Sequence, residues 1–248
     1  MLFRLFNSSD LVFGLSLIFA FVLAVAIAIT FHEFLHAYAA YKNGDPTAKF
    51  AGRMTLNPLA HIDPVGILML AIFGFGWAKP VPVNQYNFTN GRKSEVWVAI
   101  AGVLGNLFLG VCSAFLYIIC LKFIPGFGAG VSGVLSVLEL FLYYSMSINF
   151  VLAFFNLLPI YPLDGFKIVE STTSPNNGYV SFMKQYSLPV VLVLILLGGI
   201  EIYLSYTAYV VQDYVLLFWN WLFGLFGAWL WQKLSLLKMK VKMTIRLS

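Results

Sequence analysis

The chain has 248 residues, enough for one or two domains, but 60% of them are hydrophobic, 17% aromatic and only 10% charged. That balance excludes an ordinary water-soluble domain and indicates an integral membrane protein. The net charge of +5 would suit nucleic acid or another anionic partner, but the placement of the basic residues, taken up below, argues for a membrane topology instead.

A helix crossing a hydrocarbon core needs roughly 20 apolar residues, and Leu11 to Phe31 is the first such run. Ala24, Ala26 and Ala28 resemble a signal-peptide cleavage site. The run is longer than an ordinary signal core, however, and reactive side chains follow at once, so it reads as a retained helix. The next region is different in kind. Gly44 to Pro64 and Ala78 to Asn90 are rich in Pro, Gly and Asn, and within them Lys49 to Leu56 and Val81 to Tyr86 read as short extended segments able to offer an edge to an unwound substrate. Pro64 to Ala78 is charge-free but short for a crossing, so it reads as re-entrant or interfacial, lining a cavity that satisfies its backbone.

Further spans are expected over Val96 to Leu121, Leu140 to Leu163 and Tyr214 to Gln232. Gln185 to Ile200 joins them if Glu201 sits at an interface and the helix continues through Tyr206. Cys112 and Cys120 both fall in the second span and suit packing, not a disulfide framework or a metal site. Trp219, Trp221, Trp229 and Trp231 in the last span suit an interfacial anchor over a substrate gate. The expected fold is therefore an all-α polytopic membrane protein of about five transmembrane helices, with a re-entrant or interfacial β-like segment between the first two. It forms a single domain over residues 1–248, with a motif core at about 20–170 and C-terminal helices and a basic tail at 185–248.

With the amino terminus outside, five spans put residues 38–63, 79–93, 158–187 and 233–248 in the cytoplasm. Of the fifteen Lys and Arg residues, all but Arg4 and Lys122 then lie inside, as the positive-inside rule requires. The carboxyl terminus is cytoplasmic, and its tail from Lys233 to Arg246 reads as a membrane-surface anchor; nucleic-acid binding is set aside.

The first expected span ends on His32-Glu33-Phe34-Leu35-His36, an HExxH pattern. Two His four positions apart share one helix face at about 6 Å, close enough for both imidazoles to hold one Zn²⁺, while the intervening Glu can act as a general base on water. Ionisable groups in an apolar helix are costly unless paired or metal-bound, which gives the cluster a functional reading over a polar cap at the interface. Catalytic zinc usually takes a third protein ligand. His61 and the carboxylates are the candidates, and Asp164 stands out. Pro159, Pro162 and Gly165 would break its helix and turn it toward the bundle at the same end as HEFLH. Asp164 could instead cap the helix expected over Phe166 to Glu170, and His61 could bond within the Asn57 to Pro64 turn.

HExxH on one span, with Asn156-Leu157-Leu158-Pro159 and Leu163-Asp164-Gly165 on another, resembles the site-2 protease family of intramembrane zinc metalloproteases. Asn57 to Pro64 and Gly76 to Asn84 are similar to the short, single-domain branch of that family, which lacks PDZ and CBS domains. Ala101 to Asn106 resembles its Gly-rich second-span motif, with Val103 where proline is common; Gly102, Gly105 and Gly110 also suit a close-packing face. The resemblance implies one Zn²⁺ per chain held by His32, His36 and Asp164, with Glu33 as catalytic base. It also implies that Asn156 contacts the substrate backbone or the developing oxyanion, although a buried Asn there could simply satisfy freed carbonyls. The implied activity is hydrolysis of peptide bonds within or near transmembrane segments of membrane proteins, in a bacterial inner membrane, with the site toward the cytoplasm. Partners are then the bilayer and a transmembrane substrate. Two rivals remain: a metal transporter, and a catalytically silent homologue that binds membrane proteins. Glu33 weighs against both, and the absence of inverted repeats weighs against the first.

Overall fold

The computed structural model describes residues 11–66, 69, 76–124, 134–174 and 176–225. Most of the expected re-entrant stretch, the end of the last expected span with Trp229 and Trp231, Arg4 and the basic tail lie outside these residues.

Helix α1 covers Leu11–Lys42. It continues eleven residues past the expected span, so HEFLH lies within the helix and not at its end. One row of its buried positions recurs every four residues: Ala20, Ala24, Ala28, His32, His36 and Ala40. This i, i+4 stripe is one helical face; the small Ala side chains let neighbouring helices approach closely. Leu15, Phe19 and Val22 point outward and are exposed, as lipid-facing residues should be.

Helix α2, Thr47–Phe50, is a single turn. Helix α3, Arg92–Phe123, buries Val98, Gly102, Asn106 and Gly110 along another i, i+4 row, with Ser113 one turn further on, and exposes Trp97, Leu104 and Phe108. Helix α4 spans Val134–Asn156 and turns Ser145, Met146, Asn149, Phe150 and Ala153 inward. Helices α1, α3 and α4 pack on one another as a three-helix bundle. The free thiols Cys112 and Cys120 are half-buried on α3.

Helix α4 stops at Asn156 instead of Leu163, since Pro159 and Pro162 follow and cannot continue it. After a turn, α5 covers Asp164–Thr172 and packs on α3. Helix α6, Gly178–Leu196, ends at a turn where Gly198 takes a left-handed φ of 69°; the expected continuation through Tyr206 is thereby corrected. A new helix, α7, Gly199–Leu204, passes through a π turn at Ser205–Tyr209 into helical residues 210–225. The last expected span thus begins earlier than Tyr214. Its Ala208 packs with Ala114, Met146 and Phe150 in one buried cluster.

Among the described residues, four helical stretches are long and apolar enough to cross a membrane: Gly14–Lys42, Arg92–Phe123, Val137–Asn156 and Gly178–Leu196. The chain is an integral membrane protein whose described residues are all-helical, with no strand among them. The β-like segments do not form strands. Lys49 and Phe50 finish α2, the chain turns at Ala51 and Gly52, and Gln85–Asn87 is a 3-10 turn. A lone antiparallel bridge joins Ile62 and Ala78. Pro80 and Pro82 have no N–H to give a ladder, and three further donors serve side chains: Val81 N–H bonds Glu33, Asn84 N–H bonds Asp45 and Tyr86 N–H bonds Asn84.

Candidate metal centre

The face of α1 that meets α3 and α4 carries both imidazoles of HEFLH. The approach depends on Gly102 of α3, because a Cβ there would lie 2.5 Å from His36 Nε2 and 2.7 Å from His32 Cε1. Asp164 arrives from the start of α5. Leu163 is the N-cap residue and no side chain caps this helix, so Asp164 does not serve as a cap and its carboxylate faces the bundle instead. Gly165 permits this turn, since a Cβ would come within 2.2 Å of the Leu157 carbonyl oxygen.

His32, His36 and Asp164 form the potential metal-ligating group found among the described residues, all three buried. Nε2 of His32 and Nε2 of His36 are 2.9 Å apart, and they lie 3.2 and 3.1 Å from Asp164 Oδ2. Donor atoms about 2.0–2.1 Å from one tetrahedral zinc stand roughly 3.3 Å from each other, so the spacing fits within a few tenths of an ångström.

The hydrogen bonds behind the trio fit equally well. His36 Nδ1 faces the Val98 carbonyl oxygen at 2.7 Å, and His32 Nδ1 faces Asn106 Oδ1 at 2.7 Å. Both partners are acceptors, so both Nδ1 atoms carry the proton and, in neutral rings, both Nε2 atoms present bare lone pairs. Asp164 Oδ2 is buried with no hydrogen-bond donor of its own, while Oδ1 accepts from Lys167 Nζ at 3.0 Å. Three electron-rich atoms crowded together require a cation between them. Two imidazoles and a carboxylate are a donor set that zinc accepts.

Glu33 is buried next to this trio in sequence and points to the loop side, where its Oε2 accepts the Val81 N–H at 2.9 Å. Asn156, at the end of α4, donates to the Leu152 carbonyl of its own helix at 3.0 Å. His61 is fully buried, but its Nε2 faces the Thr55 carbonyl at 2.8 Å, beside the Asn57 to Pro64 turn and apart from the trio.

Sequence reasoning did not single out the supporting groups Asn149, Lys167 and the Val81 N–H, and it passed over Asn106 as part of a packing motif. The available signal was a polar amide within an apolar span, which is costly unless partnered; Asn106 and Asn149 both meet that description.

The loops frame the site from one end. Asn84 N–H and Asn87 Nδ2 donate to Asp45 at 2.7 and 2.8 Å, and Arg53 Nη2 donates to the Lys79 carbonyl at 2.6 Å. On the other side, Arg92 Nη1 reaches the Thr173 carbonyl at 3.0 Å and Ser171 donates to Glu95 at 2.6 Å. The basic loops after α1, before α3 and around α5 therefore gather at the end of the bundle near HEFLH.

The family model described as peptidase family M50 matches residues 20–198. A Bacillus subtilis protein named "Putative zinc metalloprotease YwhC" is 39% identical over 189 residues, covering 74% of this chain and 83% of the relative. The Mycolicibacterium smegmatis protein "Putative zinc metalloprotease Rip2" is 29% identical, covering 76% of this chain and 72% of its own. "Putative zinc metalloprotease MJ0611" of Methanocaldococcus jannaschii is 31% identical over 66% of this chain and 73% of its own. No solved structure gives a significant match. With the match extending over most of the chain and over both halves of a buried two-His, one-Asp centre, the chain belongs to peptidase family M50, the site-2 proteases, and is a zinc metalloprotease.

Proposed function

We propose that this protease hydrolyses peptide bonds within or beside transmembrane segments of other membrane proteins, with its site near the cytoplasmic face of a bacterial inner membrane. The observation that carries the reading is the position of the centre: His32 and His36 lie inside Gly14–Lys42, a helix long and apolar enough to cross a bilayer, and are buried against two other such helices. A soluble substrate has no route to such a site comparable to that of a segment already in the membrane.

Zinc held by His32, His36 and Asp164 supplies Lewis acidity toward a peptide carbonyl and toward water. Glu33 takes the proton of the attacking water and returns it to the departing amide nitrogen, so no net proton is consumed at the carboxylate. Its present partner, the Val81 N–H, leaves one carboxylate oxygen for this work. Asn156 sits at a helix end that leads directly into the Asp164 turn, a position suited to an amide that leaves the Leu152 carbonyl to bind the substrate backbone. The cytoplasmic assignment rests on Lys42, Lys49, Arg53, Lys79, Arg92, Lys93, Lys167 and Lys184, which lie in the loops, short helices and helix ends gathered at the HEFLH end, whereas Lys122 closes α3 at its other end.

The test is reconstitution of the purified full chain into liposomes with a transmembrane substrate, with cut sites mapped by mass spectrometry. Cleavage within or next to the span supports the reading. Cleavage confined to distant soluble loops, movement of metal ions without cleavage, or binding without cleavage would each contradict it.

A further inference from the structure

The two imidazoles of the metal centre are oriented by different means. His36 Nδ1 bonds a main-chain carbonyl, Val98 O, which no substitution can remove. His32 Nδ1 bonds a side chain, Asn106 Oδ1 on α3, and that side chain has two ways round. What decides between them lies further from the metal.

Asn106 Nδ2 reaches the Ala28 carbonyl at 3.2 Å and Asn149 Oδ1 at 2.7 Å. Asn149 Nδ2 in turn reaches the Ser145 carbonyl at 2.7 Å. The Ser145 and Ala28 carbonyls can only accept. Asn149 must therefore present its NH₂ to Ser145 and its oxygen to Asn106. Asn106 must present its NH₂ to Asn149 and Ala28, which leaves its oxygen for His32. His32 Nδ1 must then hold the proton, and Nε2 is bare toward Asp164 and His36. Reversing the Asn106 amide would set oxygen against two acceptors in a place with no exposure for either Asn, where unpaired polar groups are costly. The two main-chain carbonyls alone fix the direction of both amides.

We propose that Asn106 and Asn149 are positioning residues for the metal centre: a one-way amide relay, anchored on the carbonyls of Ser145 in α4 and Ala28 in α1, holds His32 in the tautomer that binds zinc. The relay ties α1, α3 and α4 together at one point, so the packing of three helices is converted into the protonation of one ring nitrogen. This inference rests on the zinc centre described above. Partners that orient a ligating His typically change metal affinity by about 10–100-fold when removed.

The test uses the purified full-length protein in detergent. Zinc affinity is measured by competition with a chromophoric chelator, the coordination geometry by the visible spectrum of the Co²⁺-substituted protein, and folding by thermal melting. Asn106→Leu is expected to lower zinc affinity about 10–100-fold and to alter the Co²⁺ spectrum. Asn149→Leu, which does not touch His32, is expected to shift both in the same direction by a smaller amount. Ser113→Ala removes a neighbouring buried bond of 2.9 Å between α3 and α4, to Ser145 Oγ, and is expected to leave affinity and spectrum unchanged. Wild-type affinity in Asn106→Leu or Asn149→Leu would overturn the relay, and so would an equal loss in Ser113→Ala, which would mark general packing. If Asn106→Leu does not fold, Asn149→Leu compared with Ser113→Ala decides by the same criteria. Wild-type protein that bound no zinc would overturn the metal centre itself, a result distinct from failure of the relay.

Discussion

The main-chain N–H of Val81 donates to Glu33 Oε2 at 2.9 Å, so the loop before α3 holds the carboxylate proposed as the base. Val81 lies between Pro80 and Pro82, which removes the neighbouring donors and leaves this N–H alone to meet Glu33. Hydrogen bonds to charged groups contribute about 1.5–3 kcal/mol. Val81→Pro deletes the donor in a segment already restricted by the following proline. Turnover is expected to fall about 10- to 100-fold, in keeping with a loss of this size, while zinc content stays at the wild-type level. Zinc analysis beside a cleavage assay checks this; unchanged turnover would show that the Val81 contact is idle in the reaction.

Gly102 is the point of closest approach between α3 and the two imidazoles. Gly102→Ala would place its Cβ 2.5 Å from His36 Nε2, closer than any real Cβ contact, and the rings must move. Zinc stoichiometry and activity are both expected to fall by at least about tenfold, since ligand geometry sets metal affinity. Gly105→Ala meets Leu35 Cδ1, the flexible end of a side chain, and is expected to retain zinc. Metal analysis of the two variants separates them, and equal zinc loss in both would point to helix packing alone.

Asp45 fastens the two loop halves beneath the site. It is fully buried and accepts from the Thr47 N–H and hydroxyl, the Asn84 N–H and the Asn87 amide. Burial opposes its ionisation, but these hydrogen bonds hold its carboxyl below the usual value. A depressed folded-state pKa contributes stability that is complete above the unfolded value of about 4 and is lost as pH falls toward the folded value. Asp45→Ala is expected to cost about 2–3 kcal/mol by leaving buried donors unmatched. Melting temperature followed from pH 7 down to pH 3 should fall more steeply for wild type than for Asp45→Asn; parallel curves would remove Asp45 from the acid response.

Much of the site was legible in the sequence because its residues obey simple spacing. His32 and His36 continue a four-residue Ala stripe, Ala20, Ala24 and Ala28, and that spacing by itself marks the packed face of α1. Asp164 was legible because Pro159, Pro162 and Gly165 force a turn at the HEFLH end. The segments Lys49 to Leu56 and Val81 to Tyr86 misled, because short stretches in a Pro-, Gly- and Asn-rich region satisfy an extended pattern while the partner that makes a strand is a tertiary fact. Asn106 was legible as part of a Gly-rich motif, but its role required knowing that α4 brings Asn149 within 2.7 Å. Asn156 shows the same limit, since its bond to Leu152 O depends on where α4 ends.

The most direct measurement is cleavage of a reconstituted transmembrane substrate by Glu33→Gln protein, with bound zinc determined on the same sample. The Glu33 carboxylate is turned to the Val81 N–H and not to the three ligand atoms, so the variant should keep wild-type zinc while turnover drops by about 10²–10⁴-fold, the contribution of a general base. Cleavage at the wild-type rate with zinc fully bound would contradict the assignment of Glu33 as the base and the hydrolytic mechanism built on it.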